Sequence, residues 1–240
     1  MLLEAALNGA RDPAAHPALP VTPAALAAAA AESVAAGAGA IHFHVRGPNG
    51  RESLAADDVV QALGAVRAAV PRTPVGVSTG AWIVRDPARR LALIGQWVAL
   101  PDFASVNFHE EGAVELARLL RSRGVGIEAG LANRQGAECF VDSGLGAQCL
   151  RILLEPGETD ADAALRTAAQ LETILDRAGV RLPRLLHGVD AAAWRLIAAA
   201  TARRYDTRVG LEDTLTLPDG RLAPGNGALV AAAKRQMGEG

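Results

Sequence analysis

His42 and His44 stand one residue apart in the apolar run "AGAGAIHFHVRGPNG" and account for two of the five histidines in the chain. Side chains two apart on a strand point the same way, so both imidazoles face one side of their sheet. Packed under helices they would lack partners. Turned toward a polar interior they form a two-point ligand for a divalent metal, Zn2+ first given the imidazole nitrogens, with Co2+ or Mn2+ as substitutes. The competing reading is a pair of packed or surface histidines.

A metal site needs a third ligand, and "RVGLEDTL" offers Glu212 and Asp213 near the end of the chain. Two histidines and one carboxylate leave coordination positions open to water or substrate, as catalysis requires. Taken alone, Glu212 and Asp213 also suit a helix N-terminus, where the dipole stabilises acidic groups. Arg208, four residues before Glu212, can bind a carboxylate in bidentate fashion or pair with Glu212. In "GVSTGAW", Ser78, Thr79 and Gly80 can present hydroxyls and backbone N–H groups to an oxyanion, or simply cap a helix. Asn8, Asn107, His109, Glu128, Glu155 and His187 also fall at or near the ends of apolar runs, a ring of polar groups denser than a purely structural fold needs.

The elements that must hold these residues read as alternating short apolar runs and helices, the pattern of parallel strands joined by crossover helices. The strands are "LLEAALN", "AIHFHVR", "TPVGVST", "DFASVNF", "GVGIEAG", "CLRILLE", "RLLHG" and "DTRVGLED". Helices follow from near Thr22, Ala55, Asp86, Gly112, Asn133, Asp160, Asp190 and Pro224. Thr22 and Asp86 each precede a proline, a cap followed by proline at the first helical position. Gly124 and Gly179 follow helices and precede strands, where a left-handed residue closes a helix. About eight such units over 240 residues predict a single (β/α)8 barrel domain spanning 1–240, with chemistry at the C-terminal ends of the strands. A doubly wound open sheet is the competitor, and the lack of a glycine-rich dinucleotide fingerprint after the first strand disfavours it.

Half of the residues are hydrophobic and the net charge is −2. No basic excess marks a nucleic-acid or anionic-lipid surface. The alanine-rich run Ala24–Ala36 carries Glu32 and Ser33 and is too short for a membrane span. No secretory signal is expected in "MLLEAALNGARD", and two cysteines, Cys139 and Cys149, suit a reducing cytoplasm rather than a disulfide scaffold.

The set "LNGA", "PVTP", "AGAGAIHFHVR", "STG", "ASVN" and "RVGLEDTL" followed by "NGALV" resembles the β-keto acid cleavage enzymes, in order and from the first strand to the last helix. That resemblance implies a Zn-dependent barrel, a homodimer or homotetramer, that converts a β-keto acid and acetyl-CoA into acetoacetate and a new acyl-CoA. By motif it makes His42, His44 and Glu212 the zinc ligands and matches Ser78, Arg208 and Asp213 to the family's catalytic serine, arginine and aspartate. Asn8, Arg11, Thr79, Gly80, Asn107, Glu128, Glu155 and His187 are the candidate substrate contacts. The chain departs from the family where "NGAR" puts Arg11 in place of an acidic residue, and where "GIEAGLANR" keeps Glu128 but has Gly130 in place of a second acid. The fourth unit is short and carries His109, Glu110 and Glu111. These departures predict an altered substrate pocket. Two other readings remain: a zinc hydrolase on the same barrel, and a barrel that binds a metabolite without turning it over.

Overall fold

The computed structural model describes residues 1–238. Eight strands run β1 Leu3–Ala6, β2 Ala40–Phe43, β3 Val75–Ser78, β4 Phe103–Asn107, β5 Gly126–Leu131, β6 Arg151–Leu154, β7 Arg184–Leu186 and β8 Thr207–Val209. The helices between and after them are α1 Pro23–Ala35, α2 Ala56–Ala69, α3 Pro87–Gly95, α4 Ala113–Ser122, α5 Arg134–Asp142, α6 Ala161–Arg177, α7 Ala193–Arg203 and α8 Asn226–Gln236. All named strand pairs are parallel, in the order β7-β6-β5-β4-β3-β2-β1-β8. The Leu185–Asp206 bridge and the bond from Leu186 N–H to the Asp206 carbonyl bring β7 against the start of β8. The ring is a (β/α)8 barrel. Among the described residues no helix is long and apolar enough to cross a membrane.

Local chemistry sets the joints. Thr22, Asp86, Asn133 and Asp160 accept hydrogen bonds from the backbone N–H groups of Ala25, Arg89, Gly136 and Ala163, each capping the helix that follows. Gly124 and Gly179 have φ of +81° and +70°, the left-handed turn that ends α4 and α6. At Gly210 a side chain would overlap the Ala6 carbonyl, so glycine is what lets the backbone after β8 lie against β1.

Several boundaries differ from the sequence reading, and β2 ends at Phe43, so that His44 lies just beyond the strand rather than within it. β8 ends at Val209 rather than running to Asp213, because Asp213 and Thr214 turn back to bond the Gly210 carbonyl. The last helix begins at Asn226, not Pro224; Gly225 is extended, and the Asn226 side chain bridges Leu211 N–H and the Leu7 carbonyl. Asp190–Ala192 form a 3-10 turn before α7 begins at Ala193.

The strand alternation sorts two interiors. Ala5, Ile41, Phe43, Val75, Val77, Ala104, Val106, Ile127, Ala129, Ile152 and Leu154 join the apolar cluster under the helices. The opposite parity supplies Glu4, His42, Ser78, Phe103, Glu128, Arg151, Leu153 and Arg208, all buried, to the inside of the ring. Barrel interiors are usually filled by branched aliphatics. This one is filled largely by charge, with the Arg151 guanidinium 5.7 Å from the centroid of the Phe103 ring.

Candidate metal centre and active site

Three groups converge where β1, β2 and β8 end. His42 leaves β2 with its side chain 1% exposed, and His44 follows it at 4%. Asn8 fixes the second one: its Oδ1 accepts from His44 N–H at 2.8 Å and its Nδ2 donates to the His44 and Pro20 carbonyls at 3.0 Å. Glu212 arrives on the turn after β8. Its Oε1 lies 3.4 Å from His44 Nε2 and its Oε2 3.9 Å from His42 Nε2.

That donor set fits a divalent metal. Bonds of about 2.1 Å to nitrogen and oxygen place tetrahedral donors about 3.4 Å apart, and one donor atom from each of His42, His44 and Glu212 lies within 4.8 Å of the others. Glu212 Oε2 is buried with no hydrogen-bond donor among the described residues, as an atom reserved for a metal would be. Burial holds His42 down to about 3, against the pull of Glu212, so the imidazole stays neutral with one ring nitrogen free to act as a ligand. Burial would lower His44 as well, but Glu212 and Glu52 on either side raise it to about 9, a site that demands positive charge.

Arg208, on β8, organises the carboxylates. Its Nη2 donates to Glu212 Oε1 at 2.7 Å and to Asp213 Oδ1 at 2.8 Å, and its Nε donates to the same Oδ1 at 3.3 Å. Burial alone would push Glu212 and Asp213 up. Arg208, with the histidines, outweighs it and holds both below the usual carboxylate range, Glu212 well below. Asp213 Oδ2 is buried and has no donor among the described residues, so this anion presents an unused oxygen. His187, beyond β7, stands 3.5 Å from Asp213 and 3.6 Å from Glu155. Those carboxylates raise it despite burial and the nearby Arg208.

The other sequence candidates scatter. Ser78 ends β3 and its Oγ accepts from Gly80 N–H at 3.4 Å, while Thr79 Oγ1 donates to the Ser105 carbonyl at 2.6 Å. Asn107 donates to Glu110, which is itself paired with Arg90 at 2.7 Å. A side chain at Gly130 would overlap Glu155 and Asn107, so the missing acid there makes room for another acid from just past β6. Arg11 is engaged: it donates to the Glu212 and Asp213 carbonyls at 3.0 and 3.2 Å and pairs with Asp190 at 2.6 Å. Glu128 is not a rim residue. It sits mid-strand and fully buried, beside Glu4, with Arg151 Nε at 3.2 Å.

Three residues that matter here were not among the sequence candidates. Glu52 accepts from His44 Nδ1 at 2.6 Å, and Trp82 stacks on His44 with ring centroids 5.9 Å apart. "RGPNGRE" carries the signal for Glu52: a Pro-Asn-Gly turn folds the chain back so that Glu52 pairs antiparallel with Arg46. Glu4 gave only a lone charge in an apolar strand.

Among solved structures the fold is similar to ObcA, in its apo form (19% identity, TM-score 0.70, covering 92% of this chain and 62% of that one). It is also similar to ObcA in a ternary complex with a C4-CoA adduct and oxalate (18%, TM-score 0.72, 92% and 64%). A type I 3-dehydroquinate dehydratase from Clostridium difficile shares the fold at 9% identity and TM-score 0.62, covering 99% of this chain and 90% of that one. The chain spans under two thirds of the length of the ObcA chains. The model of the beta-keto acid cleavage enzymes matches residues 1–239, the two histidines and the Arg-Glu-Asp turn included, and this chain belongs to that family.

Proposed function

We propose that the chain is a metal-dependent β-keto acid cleavage enzyme that uses acetyl-CoA as acceptor, releasing acetoacetate and the acyl-CoA of the substrate's other half. The observation that carries this is the convergence of His42, His44 and Glu212 with Arg208 and an underused, anionic Asp213 in one mouth. ObcA has been solved with oxaloacetate and with a C4-CoA adduct, a keto acid and a CoA species, which agrees with this pair of substrates.

His42, His44 and Glu212 would hold zinc, which when bound supplies Lewis acidity that stabilises negative charge on a ketone oxygen. Asp213 is the base: its Oδ2 takes a proton from the keto acid's carbon between ketone and carboxylate, leaving the electron pair as the enolate that attacks acetyl-CoA, while Arg208 on Oδ1 and His187 nearby keep the carboxylate anionic until it does. Ser78, at the end of β3, orients substrate or relays that proton through its hydroxyl. Glu155, His187 and Asn107 form the far wall of the mouth, where the variable end of the keto acid lies. Arg11 contributes by fixing the backbone of Glu212 and Asp213 rather than by offering a free guanidinium.

Zinc content measured together with acetyl-CoA-dependent turnover of a panel of β-keto acids tests the reading. Acetoacetate and acyl-CoA formed in equal amounts support it. Zinc with hydrolysis and no CoA product overturns it in favour of a hydrolase, and ligand binding without turnover overturns it in favour of a binding barrel.

A further inference from the structure

One carboxylate beside the metal centre has two clients, and the proposed chemistry uses neither of its bonds. Glu52 returns on the hairpin after β2, which is pinned where Arg46 donates to the Gly9, Arg11 and Gly50 carbonyls. Its side chain is 13% exposed. One oxygen accepts from His44 Nδ1 at 2.6 Å, and both accept from Trp82 Nε1, at 3.1 and 3.0 Å. Trp82 belongs to a different element, the loop after β3. Its ring lies nearly parallel to the His44 imidazole, 25° between planes, and fills the space that a side chain on Gly80 would need. At 47% exposure it is the largest side chain among the exposed hydrophobics, so it lies open at the mouth.

We propose that Glu52 is a positioning residue that couples the metal centre to a Trp82 wall. It fixes His44 with Nε2 turned to Glu212, and by the same carboxylate latches Trp82 over that imidazole on the substrate side. The inference rests on the reading of His42, His44 and Glu212 as a metal site. A carboxylate suits the place because both clients are donors and both of its oxygens are acceptors, one shared between His44 and Trp82 and the other facing Trp82 alone. A glutamine of the same shape offers one acceptor oxygen. Its amide would face an N–H, forcing either the loss of the Trp82 bond or the other His44 tautomer, with the proton on the nitrogen the metal needs.

The test is titration of the metal-free protein with Zn2+ alone, reading affinity by chelator competition and tryptophan emission in parallel. Trp97 and Trp194 are tied to the Leu54 and Thr216 carbonyls, so W82F isolates the signal of Trp82. Glu52→Gln is expected to weaken zinc binding about 10- to 100-fold, the range for lost outer partners of a metal-bound histidine. W82F, which keeps the Glu52–His44 bond, is expected to shift affinity by less than about threefold on the same scale and to lack the zinc-dependent emission change expected of the wild type. Glu52→Asp, retaining both oxygens on a shorter arm, is expected to fall between. Unchanged zinc affinity in a folded Glu52→Gln protein overturns the proposal, and so does an emission change that survives in W82F. A wild-type protein that takes up no zinc overturns the parent reading, and this one with it; the two failures are therefore distinct.

Discussion

Glu212 and Asp213 at the rim, and Glu4 and Glu128 beneath them, are neighbouring carboxylate pairs in one barrel interior, and their surroundings drive them in opposite directions. The rim pair receives three hydrogen bonds from Arg208 and lies beside His44 and His187, and both of its members are held below the usual range. For the deeper pair burial dominates. Both members are 0% exposed, and among the described residues none of their carboxylate oxygens has a hydrogen-bond partner of good geometry; burial raises Glu4 against the pull of Arg151 and Arg208, while burial and the neighbouring Glu4 raise Glu128 well above its ordinary value. Arg151 is close to Glu128 and lowers it, without overcoming burial. Burial is common to both pairs; the aimed guanidinium is not. A buried carboxylate stays charged only where donors point at it.

Breaking the rim pair should have the largest effects. Glu212→Gln is expected to abolish zinc retention through dialysis, and turnover with it, as measured by metal analysis and the acetyl-CoA assay. Asp213→Asn is expected to keep its zinc and lose about 10²- to 10⁴-fold in kcat, the usual range for a missing general base; near-normal turnover would exclude the base role. Arg208→Met strands two buried anions, so unfolding in urea should show a loss of about 3–5 kcal/mol at neutral pH.

The deeper pair should respond more weakly and with the opposite sign in pH. Because the folded pKa of Glu128 is raised above its ordinary 4.5, its contribution to stability is full below that value and is lost as pH rises through the folded pKa. Glu128→Gln removes this dependence. Denaturation midpoints are therefore expected to favour the variant over the wild type increasingly from about pH 5 upward. A wild type that gains on the variant with rising pH would show that the deeper pair is ionised like the rim pair, and the contrast would fail.

The same contrast explains what the sequence could disclose. The barrel was legible because parallel strands and crossover helices carry their own period, caps and glycines, as at Thr22, Asp86, Gly124 and Gly179. His42 and His44 were legible as a pair because they are two apart in one extended run, although β2 itself ends at Phe43, and Glu212 and Asp213 because they are adjacent. Glu4, Glu128 and Arg151 come singly from three strands, and only the ring makes them one cluster. Their strands read as apolar because each charge points into the ring while its neighbours pack under helices. Arg11 showed the reverse limit: a charge near a strand end looks substrate-facing until its partners, here Asp190 and two carbonyls, are known.

The closeness of backbones at Gly210 has a consequence for how the protein is made. The histidines come from the end of the second strand and Glu212 from just past the eighth, so no N-terminal stretch of the chain short of β8 contains the site. Zinc uptake then reports the pairing of β8 with β1 rather than the accumulation of helix. A pulse-labelled refolding experiment should find amide protection in α1 to α4 established before zinc is captured, and a bulkier residue at 210 should delay capture far more than it delays secondary structure.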